Sequence, residues 1–536
     1  YHKAEILGIG LSDKEHNYYL DKKYLKDLEG ILKGKVVYTY NAKAMDIIFR
    51  KNHVQVDPVN YDLMIAAYLY KEFNKEDIAF LMNPEHINVE FFLDAKKSGF
   101  SDIERIKKDT VLKARFIYDT RDEYINNLKT ENMYNLFKDI EMPLSYVLAD
   151  MEYFGVKVDS SVLDEIKAEA EAKLAILSEE IYNMAGVEFN ISSPKQLGEV
   201  LFERLGLSSG KKNQTGYKTD ATTLQKLRGK HPIINLILEY RNFSKIISTY
   251  TVSLENAKFP DGKIHTIFKQ TFTRTGRLSS AEPNLQNIPI RGEEGRKVRR
   301  AFKPTNDLFL SVDYSQIELR ILAHISGSKE LIEAFKNGAD IHTKVAADIY
   351  GVDESEVTKL MRSTAKAVIF GIVYGISGFG LGENLNISPK EAQSFINKYY
   401  ELYPGVKRYM DNIIKEAYDT GSVRTLFNRK RTIEELNNRN YMIRSSGERI
   451  ALNTPIQGTS ADIIKKAMVL VFVEFKKQNI KSKMVLQIHD ELVIDTVKEE
   501  QEKVTEIVRN VMENVIKLDV PLKVGIASGK DLYEAK

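Results

Sequence analysis

The stretch Leu308–Leu322, LFLSVDYSQIELRIL, limits the fold more than any other part of the chain. It opens as an apolar run that reads as a buried strand. The period then changes, with Ile317, Ile321 and Leu322 on one side of a helix and Glu318 on another. A strand feeding a helix is expected, with Asp313 at the junction. A carboxylate at the end of a buried strand is costly to desolvate unless a cation meets it. Asp313 therefore either caps the following helix or faces a positive group.

A second carboxylate sits in a similar place. In Met484–Asp495, MVLQIHDELVID, the β-rich runs Met484–Ile488 and Leu492–Ile494 flank His489-Asp490-Glu491. This reads as a hairpin with an acidic turn. Asp490 either serves turn geometry or meets Asp313 in space. Hard divalent ions take carboxylate oxygens. Two such ions roughly 3.5–4 Å apart clamp the attacking and leaving oxygens of a phosphoryl displacement.

Between these sites lies Met361–Gly375, MRSTAKAVIFGIVYG. Arg362, Lys366, Phe370 and Tyr374 recur every four residues, so a helix carries them on one face. One reading is an amphipathic helix whose cations snorkel. The other is a triphosphate held by the cations, with a base or sugar against the aromatic rings. The second explains why cations precede aromatics.

DYSQIELR (Asp313–Arg320), R-x-x-x-K-x-x-x-F-G-x-x-Y-G (Arg362–Gly375) and HDE (His489–Glu491) resemble motifs A, B and C of the family A DNA polymerases. TRTGRLSSAEPNLQNIPIR (Thr273–Arg291) and NTPIQGTSADIIKKAM (Asn453–Met468) resemble further segments of that family. Within it the likeness is to the large, Klenow-type fragments of the bacterial polymerase I group, Bacillus included, and it extends over nearly the whole chain. The resemblance implies a multidomain α/β and α+β chain. Its polymerase part is a right hand of palm, fingers and thumb, preceded by an RNase H-like domain of the 3′–5′ exonuclease type.

Length and composition agree with that outline. A chain of 536 residues splits into several domains. No apolar run reaches the roughly 20 residues that span a bilayer, and no signal-peptide pattern is present. The chain lacks an initiator Met, which suggests a fragment or processed product. Without cysteine there is no disulfide or thiolate metal site, which fits a cytoplasmic protein, and the resemblance implies a bacterial, nucleoid-associated one. A net charge of +3 is too small to advertise nucleic acid, so any such surface is local.

Residues 1–130 alternate strand-like runs (Ala4–Leu11, Val36–Tyr40) with helical ones (Asp62–Tyr70), an α/β pattern. In the resembling family this domain needs carboxylates for two metals. Here the chain begins after the first acidic motif. Met45 stands where the second motif has Asp, and Asp46 is about 100° away on a helix. Tyr118 and Asp122 match the spacing of the third, but Lys113 and Ile117 align with it. A vestigial domain without proofreading is expected.

The resemblance implies that residues 131–155 connect to the palm and 156–257 form the thumb, and the sequence there predicts a long helix from Ser160 to Met184 and another begun by Pro194. Leu207–Lys230 holds Lys211, Lys212, Lys218, Lys226, Arg228 and Lys230 against Asp220. It is either a solvated loop or, as the family resemblance implies, a thumb tip gripping DNA phosphates without reading sequence. The same resemblance implies that residues 258–335 and 441–536 form the palm, and 336–440 the fingers. Arg291–Lys303, with Arg291, Arg296, Lys297, Arg299, Arg300 and Lys303, is expected along a phosphate backbone.

The resemblance also implies residue roles. Asp313 and Asp490 carry two Mg²⁺, which Mn²⁺ can replace, with Glu491 in support. Arg362, Lys366, His342, Phe370 and Tyr374 bind the dNTP, and Lys366 protonates the leaving pyrophosphate. Glu318 excludes a ribose 2′-hydroxyl, with Gln316 lining the same pocket. Arg277, Asn284, Gln286, Arg444, Asn453, Gln457, His489, Lys211 and Lys212 meet the primer–template duplex. Ile369 and Ser363-Thr364 depart from the family's common residues. A monomer performing template-directed DNA synthesis in replication or repair follows. The alternatives are a catalytically silent primer–template-binding module, or a related reverse transcriptase or RNA polymerase.

Overall fold

The computed structural model describes residues 2–208, 216–290 and 292–536. Near the N-terminus, Gly8–Ser12 pairs antiparallel with Asn17–Asp21, and Tyr38–Thr39 pairs parallel with Tyr61–Asp62. Helices α1 (Ala42–Lys51), α2 (Leu63–Lys71) and α3 (Ile103–Thr130) surround these short sheets. The strand expected from Ala4 begins only at Gly8. The helix expected from Asp62 is present, and Asp62 caps it by accepting from Met64 N at 2.8 Å. The same buried carboxylate accepts from Asn41 N and Ala42 N, so one Asp organises the starts of both α1 and α2.

Helix α4 (Met142–Phe154) leads to a short strand, Val156–Val158, through Gly155 at φ +68°. A Cβ on Gly155 would lie 2.8 Å from the His265 ring, so both backbone conformation and space demand glycine. Asp159 then caps α5 (Ser160–Ala185), which packs against Ile233–Lys245. Ser193 and Pro194 open the next helix, as Pro at a first helical position predicts.

The central sheet is antiparallel and four-stranded. Strand β1 (Leu308–Tyr314) lies between β3 (Glu491–Thr496) and β4 (Val524–Gly529), and β2 (Lys483–Ile488) flanks β3. Helix α6 (Ile317–Ser326) follows β1 directly. Helix α7 (Lys359–Val373) carries the cation–aromatic stripe, and α8 (Tyr441–Lys477) runs from beside it to the sheet. The second half of α8 begins near Ser460; its first half presents polar residues and contains Pro455. Thr454 Oγ1 donates to Ile450 O at 2.7 Å, taking up one carbonyl beside the proline.

Apolar residues gather into separate cores. The N-terminal elements enclose Leu63, Ile65 and Leu128, the helices near 181–237 enclose Ile181, Leu201 and Ile237, and the central sheet anchors the largest core. No helix among the described residues is long and apolar enough to cross a membrane.

Candidate active site

β1 and β3 pair so that Asp313 opposes Glu491, and Tyr314 N donates to Asp490 O at 3.2 Å. The β2–β3 hairpin turns through His489 and Asp490, with His489 at φ +55°. Both Asp residues therefore stand at neighbouring strand ends. Asp313 is not a helix cap: Gln316, at φ +54°, precedes α6, and its side chain makes no capping bond. The Asp313 side chain is exposed and no described side chain bonds it. Partial desolvation, with Glu491 and Asp490 close by, pushes its carboxyl up to about 6 against the opposing field of Lys536. Burial also raises Asp490, against Arg277, His489 and a 3.2 Å bond from Ser460 Oγ.

Glu318 lies in the first turn of α6, buried between two donors. Arg277 Nη2 bonds Oε1 at 2.6 Å, and Tyr374 OH bonds Oε2 at 2.9 Å. Burial raises its carboxyl despite Arg277. On α7, Arg362 and Lys366 are exposed, Phe370 is half-buried, and Tyr374 is the exposed C-cap. The opposite face, Ala365, Val368, Ile369 and Ile372, is buried. Ile369 is thus a core residue, which accounts for an apolar side chain there. Gly375, at φ +66°, ends the helix.

Arg362 Nε donates to Asp340 Oδ2 at 2.8 Å, and no ion pair among the described residues engages Lys366. His342 is buried with its ring 5.9 Å from Phe370. Burial, with Arg362 and Lys366 near, holds it below the usual imidazole range despite Asp340. The Arg277–Glu318–Tyr374 chain links the end of α7 to the first turn of α6, with Arg277 also close enough to pull the Asp490 carboxyl down against burial.

Comparison with known proteins names this arrangement. Residues 160–534 match the model of DNA polymerase family A, and residues 1–90 match that of the DNA polymerase I ribonuclease H-like domain. The chain belongs to DNA polymerase family A. It is 45% identical to DNA polymerase I of Lactococcus lactis subsp. lactis over all of this chain and 62% of that protein. It is 44% identical to DNA polymerase I of Geobacillus stearothermophilus over all of this chain and 63% of that protein. The chain thus spans less than two thirds of these relatives. A solved structure, the POL domain of Pol1 from M. smegmatis in complex with DNA primer-template and dNTP, superposes with a TM-score of 0.90 at 34% identity. That match covers 98% of this chain and 92% of the other.

Family A DNA polymerases use divalent metal ions. No cluster of three or more His, Cys, Asp or Glu among the described residues is built to hold a metal alone. Ions that share their coordination with substrate phosphates need only one or two carboxylates. Asp313 and Asp490 fit that donor set: two neighbouring carboxylates, both raised by desolvation, with no side-chain bond to Asp313 among the described residues.

Other expected duplex residues fall in different surroundings. Asn284 caps a short turn by accepting from Gln286 N, and Gln286 Nε2 bonds Gln487 on β2 at 2.9 Å. Asn453 and Gln457 share a face of α8 with Ser460, and the Asn453 Oδ1 is buried without a partner. Arg444 does not join them. Nine residues separate it from Asn453, about 180° around a helix. Its guanidinium instead lies by the Tyr441 ring and bonds Asn438 O. Arg449, which the sequence reading passed over, is one helical turn before Asn453 and packs against Gly375 beside Tyr374. The Arg-x-x-x-Asn-x-x-x-Gln spacing was the available signal. Lys211, Lys212 and Arg291 lie outside the described residues.

The basic cluster at 291–303 is corrected. Arg299 is wholly buried. Lys297 pairs with Glu169 and Glu294, Arg300 with Glu165, Lys303 with Asp531, and Arg296 lies over the Tyr533 ring. These cations are largely engaged within the protein, by partners distant in sequence.

In the ribonuclease H-like part, Met45 packs among apolar residues, with its Sδ 3.5 Å from Thr39 Oγ1. Asp46 pairs with Arg50 at 2.8 Å. Asp122 pairs with Arg121, whose guanidinium also covers Tyr118.

Proposed function

We propose that this chain extends a primer 3′-hydroxyl with dNTPs under the direction of a template, releasing pyrophosphate. The observation that carries this is the Arg277–Glu318–Tyr374 chain, which joins the Arg362–Lys366–Phe370–Tyr374 face of α7 to the strand ends that bear Asp313 and Asp490. The complex formed by the M. smegmatis relative supports primer–template and dNTP as the partners.

Asp313 and Asp490 would hold two Mg²⁺, with Mn²⁺ a substitute. Bound there, the ions would supply an activated hydroxyl nucleophile and neutralise phosphoryl charge. Arg362 exchanges Asp340 for the triphosphate. Lys366 donates a proton to the departing pyrophosphate. His342, held neutral by burial, offers a hydrogen bond to the phosphates, and Phe370 packs on the sugar and base. Glu318, pinned by Arg277 and Tyr374, occupies the space a 2′-hydroxyl would need. Gln316 precedes it at the pocket edge. Asn284, Gln286, Asn453, Gln457, Arg277 and His489 line the duplex side, and Lys211 and Lys212 grip its backbone from the thumb.

In this reading residues 156–257 are thumb, 258–335 and 441–536 palm, and 336–440 fingers. Residues 1–130 are a vestigial exonuclease domain: Met45 replaces a metal-binding carboxylate, and Asp46 and Asp122 are committed to arginines. The chain works as a monomer.

The test is a 5′-labelled primer on a longer DNA template with Mg²⁺, resolved on a gel. Extension with dNTPs and an intact primer without them is expected. Shortening without dNTPs overturns the exonuclease reading. Absence of extension overturns the polymerase reading in favour of a silent binding module. Extension with rNTPs rather than dNTPs, or only on RNA templates, points to the related RNA polymerases or reverse transcriptases.

A further inference from the structure

Glu491 is almost fully buried beside Asp490. Asp313 and Ser311 lie on one face of β1, and Glu491 pairs directly opposite Asp313. From that position Glu491 reaches back along the strand. Its Oε1 accepts from Ser311 Oγ at 2.6 Å, and its Oε2 accepts from Lys536 Nζ at 2.7 Å.

A second cation stands behind it. The Arg299 side chain is 0% exposed and its Nη2 lies 3.9 Å from Glu491 Oε1. Arg299 Nε donates to Leu532 O at 3.0 Å, while neither terminal nitrogen has a hydrogen-bond partner. A buried guanidinium with two unsatisfied nitrogens is costly, so a packing role alone accounts poorly for it. The segment that anchors Arg299 also delivers Lys536, and it is fixed by the buried Leu532 and Ala535 and by Lys303–Asp531 at 3.1 Å.

We propose that Lys536 and Arg299 are positioning residues that hold Glu491 turned into the palm, so that Asp313 and Asp490 alone present free oxygens to the cleft. The inference rests on the polymerase reading above. Without the pull of Lys536, Glu491 turns toward its cross-strand partner Asp313 and adds a third carboxylate to the cation site. Divalent ions then bind more tightly, in an arrangement that serves catalysis less well.

The test measures Mn²⁺ binding to the full chain with a primer–template duplex and no nucleotide, by electron paramagnetic resonance. Extension against Mg²⁺ concentration is measured in parallel. Lys536→Met is expected to tighten Mn²⁺ binding about threefold or more and to slow extension at saturating Mg²⁺. Lys536→Arg, which keeps the charge, restores both. In a Glu491→Gln background, Lys536→Met no longer tightens Mn²⁺ binding. Unchanged Mn²⁺ binding and Mg²⁺ dependence in Lys536→Met, even with a lowered melting temperature, overturns the proposal. So does an equal shift in the Glu491→Gln background. Failure of the unmutated chain to extend any primer would instead overturn the polymerase reading.

Discussion

Tyr374 donates its hydroxyl to Glu318 Oε2 at 2.9 Å, joining the C-cap of α7 to the first turn of α6. Burial and the Glu318 carboxylate push the phenol up to about 12, so it stays a donor throughout the working pH range. With Arg277 on the other oxygen, Glu318 cannot turn aside without losing a bond.

That rigidity bears on sugar selection. Glu318→Ala opens the space beside the sugar and is expected to raise the rNTP-to-dNTP incorporation ratio by about tenfold or more. Tyr374→Phe and Arg277→Met each free one oxygen and should raise it less. Single-nucleotide insertion kinetics on a DNA template measure the ratio, and no change in Glu318→Ala sinks the assignment.

Asp313→Asn keeps the shape of the strand end and removes its charge. The extension rate should fall by about a thousandfold or more, while duplex affinity, measured by gel shift, should hold or rise as repulsion of phosphates is relieved. A variant that extends at the normal rate shows that Asp313 holds no metal.

Much of this site was visible in the sequence because it is written in short, regular intervals. The apolar run before Asp313, the paired runs around Asp490 and the four-residue rhythm from Arg362 to Tyr374 are local patterns, and each produced the element expected of it. What stayed hidden depends on distant partners. Counting charges made 291–303 a phosphate-binding strip, but Glu165, Glu169 and Asp531 claim those cations from more than a hundred residues away. Nothing near Glu491 in sequence announces Ser311, Arg299 or Lys536.

No ion pair among the described residues engages Lys366, unlike Arg362, which Asp340 holds. If it protonates the leaving group, Lys366→Met should lower the maximal single-turnover rate by about 10²- to 10⁴-fold. A purely affinity-based effect, with the maximal rate intact at high dNTP, counts against the proton-donor role.

Buried ion pairs tie the segment before α4 to α8. Glu141, ahead of α4, is fully buried and meets Lys465 Nζ at 2.8 Å and Gln270 Nε2 at 2.6 Å, with Arg429 bridging it to Asp462. The side chain of Arg429 also presses on Gly276, next to Arg277. Burial pushes the Glu141 carboxyl up, but Lys465, Arg429 and Gln270 outweigh it and hold it at about 2, below its ordinary 4.5. A depressed carboxyl contributes stability that is complete above the unfolded value and is lost as pH falls from 4.5 toward 2. Urea denaturation of the unmutated chain should therefore show a midpoint that drops through this window. Glu141→Gln leaves Lys465 and Arg429 short of one anion and should cost about 3–5 kcal/mol at neutral pH. Having no proton to gain, it should lose less stability on acidification. Parallel losses in the two proteins below pH 4.5 show that the acid sensitivity resides elsewhere.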